Sequence, residues 1–86
     1  MYLTIGAFPA SEIMLAIYEK ENEHPVATKN IQFDEIVSEV TGIITAVPEI
    51  REVVIFGPTQ YTIKIKQMLT LNIPVYLATE LEQKND

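Results

Sequence analysis

The chain has 86 residues, which is room for one small domain and no second. Twelve acids against six bases give a net charge of −6, with no cysteine, no tryptophan and one histidine. That composition excludes a disulfide scaffold, a zinc ribbon, a thiol nucleophile and an iron–sulfur cluster. It also argues against binding nucleic acid through its phosphates, which needs clustered Lys and Arg. Hydrophobic residues make up 48%, too much for a disordered chain. No apolar run approaches the roughly 18 residues of a membrane span. The start, Met1-Tyr2-Leu3-Thr4, lacks the basic residues and long apolar stretch of a secretory leader. A cytoplasmic domain is expected, without membrane or nucleic-acid partners. So small a domain buries only about 60–65% of its unfolded surface, so a partner or a second copy would add stability.

Five prolines, at 9, 25, 48, 58 and 74, fall where the hydrophobic pattern changes. Residues 2–8 alternate, with Leu3, Ile5 and Ala7 on one face and Tyr2, Thr4, Gly6 and Phe8 on the other, which predicts a strand. Pro9-Ala10-Ser11 reads as a turn. Residues 12–19 alternate again, Ile13, Leu15 and Ile17 against Met14, Ala16 and Tyr18, and Lys20 to His24 reads as a hairpin loop. A more polar strand from Val26 to Phe33 has the character of a sheet edge.

The period then changes. Ile36, Val37, Val40, Ile43, Ile44 and Val47 form one face of a helix of about 14 residues, with Asp34 as its expected N-cap and Pro48 as its stop. Gly42 inside it costs about 1 kcal/mol relative to Ala, and close packing on the sheet is the expected reason. Val53-Val54-Ile55-Phe56 is an unbroken apolar run, read as a central parallel strand. Thr59 is placed to cap a second helix over residues 60–71, with Tyr61, Ile65, Met68 and Leu69 inward. Ile73 to Ala78 is the last strand. The domain is expected to span 1–79, with a frayed, charged tail at 80–86.

The predicted fold is therefore α/β (α+β): two layers, a mixed five-stranded sheet and two helices. The order βββαβαβ resembles the ribonuclease H-like fold, over nearly the whole chain and by element order alone. The resemblance implies strand order 3-2-1-4-5. It also implies, for the nucleases of that family, divalent metal held by acids in strand one, in the first helix and at the end of strand four. Here strand one offers Ile5 and Gly6, strand four ends Phe56-Gly57-Pro58, and only the helix carries acids, Glu35 and Glu39. A two-metal site needs ligands converging from several elements. No metal, no cofactor and no catalysis are expected.

With that strand order both crossovers run the same way, so right-handed connections put both helices on one face. The other face is expected to be open and apolar, with Tyr2, Thr4, Phe8, Met14, Tyr18, Val54, Phe56 and Tyr76 as the candidate interface. This leads to a small acidic module that self-associates or docks a protein partner. The alternative is a small-molecule or anion-binding domain, or a degenerate enzyme, using Gly57, Thr59, Gln60 and Tyr61, where a parallel strand ends and a helix begins. A third mode is pairing of an edge, 26–33 or 73–78, with another chain. His24 beside Glu21 and Glu23 reads as a solvated loop rather than a metal site. Ser11 has no base nearby in sequence, and Lys64 and Lys66 read as decoration of the exposed side of the second helix.

Overall fold

The computed structural model of the chain describes residues 1–8, 12–19 and 24–84; the expected turn at 9–11 and loop residues 20–23 lie outside them. Strands β1 (Tyr2–Gly6), β2 (Ile13–Tyr18) and β3 (Ala27–Ile31) lead into a 3-10 turn (Phe33–Glu35) and helix α1 (Ile36–Ala46). Then come β4 (Glu52–Phe56), α2 (Thr59–Met68), β5 (Val75–Leu77) and α3 (Ala78–Lys84). The strands form one five-stranded sheet in the order β3-β2-β1-β4-β5. β1, β2 and β3 are antiparallel neighbours, whereas β1–β4 and β4–β5 are parallel. No helix among the described residues is long and apolar enough to cross a membrane.

The period-two pattern decides which residues are buried. Leu3, Ile5, Ile13, Leu15, Val53 and Ile55 form one cluster with Ile36 and Val40 of α1 and with Ile65 and Leu69 at the end of α2. Both helices therefore pack on the odd-numbered face of the sheet. Ile50, in the turn before β4, is buried in the same cluster. Each large aliphatic side chain removed from water there contributes about 1.5–3 kcal/mol, which makes this face the main source of stability.

Several local expectations are corrected. The first helix is not capped by Asp34: the Glu35 carboxylate accepts the Gln32 N–H at 2.9 Å and fixes the 3-10 turn that precedes α1. The N-cap of α2 is Pro58, and Thr59 already lies within the helix, with no side-chain cap bond. A proline suits that place because it lacks the N–H that a helix start leaves unpaired. Val37 and Tyr61, expected inward, are exposed, and Thr62 takes the buried position on α2. The Thr62 hydroxyl is satisfied there by donating to the Thr59 carbonyl at 3.2 Å.

Gly42 is exposed, and a Cβ built on it meets nothing within 4 Å, so close packing is not its reason. The tail is also different. Residues 78–84 form α3 in place of a frayed end. Its first turn is held by Glu80, whose carboxylate accepts the Leu77 N–H at 2.9 Å and pairs with Lys66 of α2 at 3.0 Å.

Of the three glycines, Gly57 is the most tightly placed. Its φ is +139°, and a Cβ there would lie 2.1 Å from the Ala7 carbonyl oxygen. The neighbouring Ala7 N–H donates to the Phe56 carbonyl at 2.8 Å, which draws the two backbones together. The two glycines thus predict opposite effects in urea denaturation. Gly57→Ala should lower the unfolding free energy by about 2 kcal/mol or more through strain and collision. Gly42→Ala should raise it by up to about 1 kcal/mol, through helix propensity alone.

Candidate functional site

The even-numbered residues of the strands share the face opposite α1 and α2. Register places them in rows. Gly6 of β1 lies between Met14 of β2 and Phe56 of β4. Thr4 lies between Ala16 and Val54, and Val54 is in turn opposite Tyr76 of β5. Tyr2 lies between Tyr18 and Glu52. All eight residues expected on an interface, Tyr2, Thr4, Phe8, Met14, Tyr18, Val54, Phe56 and Tyr76, follow this parity.

They are not equally available. Val54 is only 4% exposed, as is Ala16 in the same row, so the middle of the face offers little to a partner. Tyr2, Thr4, Tyr18 and Tyr76 are half-buried. The Tyr2 and Tyr18 rings stack across the β1–β2 ladder with centroids 5.3 Å apart. The Thr4 hydroxyl donates to the Ala16 carbonyl at 3.4 Å. The exposed part is the row through Gly6: Phe8, Met14 and Phe56 are 55%, 52% and 43% exposed.

Gly6 shapes that patch. A Cβ at Gly6 would lie 3.5 Å from Cε2 of the Phe8 ring and 3.9 Å from the Met14 Cβ. The Phe8 ring thus lies over the bare glycine backbone between Met14 and Phe56. Sequence reading put Phe8 on this face but missed the role of Gly6. A small residue between two large apolar neighbours on adjacent strands was the available signal, and it becomes visible only once the register is known.

The second candidate, Gly57 to Tyr61, is the start of α2. The Pro58 carbonyl accepts the N–H groups of both Tyr61 and Thr62. Gln60 and Tyr61 join Phe33 and Lys64 around an open hollow of about 430 Å³, and the Lys64 ammonium stands 5.9 Å above the centre of the Phe33 ring. Lys64 follows Gln60 by one helical turn, so its place beside Gln60 was readable. Phe33 comes from before α1 and was not. Gly57 and Thr59 do not line this hollow.

Among the described residues the carboxylates do not converge. Glu39 pairs with Lys29 of β3 at 2.8 Å, and Glu35 is occupied by the Gln32 amide. Among the described residues no group of three or more His, Asp or Glu is placed to hold a metal ion. His24 is exposed, while its sequence neighbours Glu21 and Glu23, and also Ser11, lie outside the described residues. Lys66 does more than decorate the second helix, since it ties α2 to α3 through Glu80. The chain matches no protein-family model, no curated protein and no solved structure.

The stacked tyrosines give a direct check on the face. A double-mutant cycle on Tyr2→Ala and Tyr18→Ala, read by denaturant unfolding, should give a coupling of about 0.5–1.5 kcal/mol.

Proposed function

We propose that this chain is a minimal ribonuclease H-like domain that lacks the metal-holding acids and works as an interaction module. It associates, with itself or with a protein partner, through the sheet face opposite α1 and α2. The observation that carries this reading is the contiguous apolar row of Phe8, Met14 and Phe56, each about half exposed. A sheet face left to solvent is ordinarily polar, and Met14 and Phe56 flank Gly6 at the junction of the antiparallel and parallel parts of this sheet. Aromatic residues and Met are the types enriched in interface cores. The element order and the sheet order β3-β2-β1-β4-β5 support the fold assignment. The absence of an acid from β1 and from the end of β4 supports a non-catalytic role.

One observation favours a second function, the hollow beside the start of α2. Lys64 supplies a positive charge and Phe33 and Tyr61 supply aromatic surface, a set suited to a small anion with a flat apolar part. Titration with a panel of phosphates and nucleotides should then move the amides of Thr59 to Tyr61. Unmoved amides across the panel would eliminate this reading.

The main proposal is tested by light scattering on a sizing column over a wide concentration range, with wild type and Phe56→Asp. Phe56 is exposed, so the variant should fold, with an unchanged far-ultraviolet circular dichroism spectrum. Wild type should rise above the monomer mass, or retain a protein partner in a pull-down, and Phe56→Asp should do neither. A wild type that stays at the monomer mass, together with identical capture by both baits, would contradict the proposal.

A further inference from the structure

The sheet has two edges, and they are not equivalent. Successive peptide groups in a strand point to opposite sides, so one known bond sets the direction of the others. The Ala7 N–H donates to the Phe56 carbonyl, which turns the odd peptide groups beside β1 toward β4 and the even ones toward β2. The Thr4–Ala16 pair is then a hydrogen-bonded one, and Ile13, Leu15 and Ile17 turn toward Ile31, Lys29 and Ala27 of β3. Val26 N–H donating to the Ile17 carbonyl at 2.8 Å agrees with that direction. The N–H and C=O groups of Thr28 and Asn30 consequently point out of the sheet. Among the described residues nothing bonds to them.

The same counting at β5 gives a different edge. The Val53 N–H donates to the Pro74 carbonyl, so Val75 and Leu77 point outward. The Leu77 N–H is already taken by the Glu80 carboxylate. Only three residues pair there, between a proline and α3. This edge is closed by the ordinary devices of short length, Pro and a side-chain cap. β3 is longer, five residues with no proline among them, and among the described residues no side chain caps its outward N–H groups. Its one charged residue, Lys29, is neutralised by Glu39 of α1 at 2.8 Å and so does not repel an incoming strand.

Beside this edge, on the helix side, lies a hollow of about 240 Å³ lined by Leu15, Ile17, Ala27, Thr28, Lys29 and Ile43. Ala27 is too small to fill it, so Ile17 and Ile43 remain partly uncovered. A strand laid along β3 would bond Thr28 and Asn30 and would drop alternate side chains onto this hollow.

We propose that the β3 edge accepts an extended segment of another protein, carrying Val, Ile or Leu at the position that meets the hollow. The chemistry selects against a second copy. β3 paired with itself in any antiparallel register that bonds Thr28 and Asn30 offers the hollow only Ala27 or Lys29, because Ile31 is already core. This surface is separate from the open face, and neither reading depends on the other.

The probe is a soluble synthetic peptide of alternating threonine and valine with lysine at both ends. The readout is amide hydrogen exchange by nuclear magnetic resonance on the full chain. The peptide should slow exchange at Thr28 and Asn30 by at least tenfold and shift the methyl signals of Ile17 and Ile43. Thr28→Pro removes an outward N–H that no ladder bond uses, a substitution edge strands tolerate. It should leave the fold intact and abolish both effects. Ala27→Asp, which puts a charge at the hollow, should weaken binding at least tenfold and serves as the test if Thr28→Pro fails to fold. Unprotected amides at millimolar peptide would overturn the proposal, as would shifts that persist in the folded variants. Equal binding by a peptide with alanine in place of valine would overturn the role of the hollow. A doubled mass without peptide that Thr28→Pro returns to monomer would make the occupant a second copy and overturn the one proposed.

Discussion

Everything distinctive about this chain follows from the handedness of two connections. β3 to β4 through α1, and β4 to β5 through α2, both join parallel strands and both advance in the same direction across the sheet. A right-twisted strand feeding a right-handed helix packs back on one side only. α1 and α2 must therefore share a face, and the core must form there. Leu3, Ile5, Leu15, Val53 and Ile55 meet Ile36, Val40 and Ile65 because of this, and the even residues are left on the other side. Because the side-chain period is two, a slip of one residue in any ladder would exchange the two sets.

The even set is what makes the arrangement informative. Its centre, Ala16 and Val54, is buried, and the stacked pair of Tyr2 and Tyr18 covers one end. The other end, around Gly6, remains apolar and exposed. Next to it the Gly57 backbone lies against that of Ala7, too close for a Cβ. The rigid turn and the exposed row are thus consecutive in sequence, with Phe56 belonging to the row and Gly57 to the turn. A partner seated on Phe56 would press on an anchored backbone rather than on a mobile loop, which lowers the entropy lost on binding. The exposed ion pairs, Lys29–Glu39 and Lys66–Glu80, add little stability of their own. Their effect is positional: one neutralises an edge strand and the other holds α3 to α2.

The sheet was legible because its signals are periodic. Leu3, Ile5 and Ala7 against Tyr2, Thr4 and Gly6 specify both a strand and its two faces, and the shift to helical spacing at Ile36 marks where the meander ends. Strand order and helix placement then follow from connection lengths and handedness. What was missed lacks a period. α3 has seven residues, too few for a pattern, and it is placed by packing on β4 and β5 and by Glu80, which meets the Leu77 amide and Lys66. The start of α1 differs because a 3-10 turn precedes it: Glu35 reaches back to the Gln32 amide, and Asp34 lies inside that turn instead of capping the helix. Val54 was placed on the correct face but read as open, because burial depends on neighbours in other strands. The hollow between Phe33 and Lys64 joins residues from separate elements and leaves no local trace.

On the proposed reading, the face around Gly6 is bare within one chain and covered in association. Met14 reports on it directly, since its side chain stands in the exposed row while Met68 packs against the core on the other side. The measurement is the broadening of methionine methyl signals by a soluble paramagnetic chelate, taken from dilute to concentrated protein and again with a captured partner. In dilute solution Met14 should be strongly broadened and Met68 weakly, and Met14 alone should become protected on association. A Met14 methyl already protected at high dilution, or one that stays fully accessible throughout, would contradict the proposed interface.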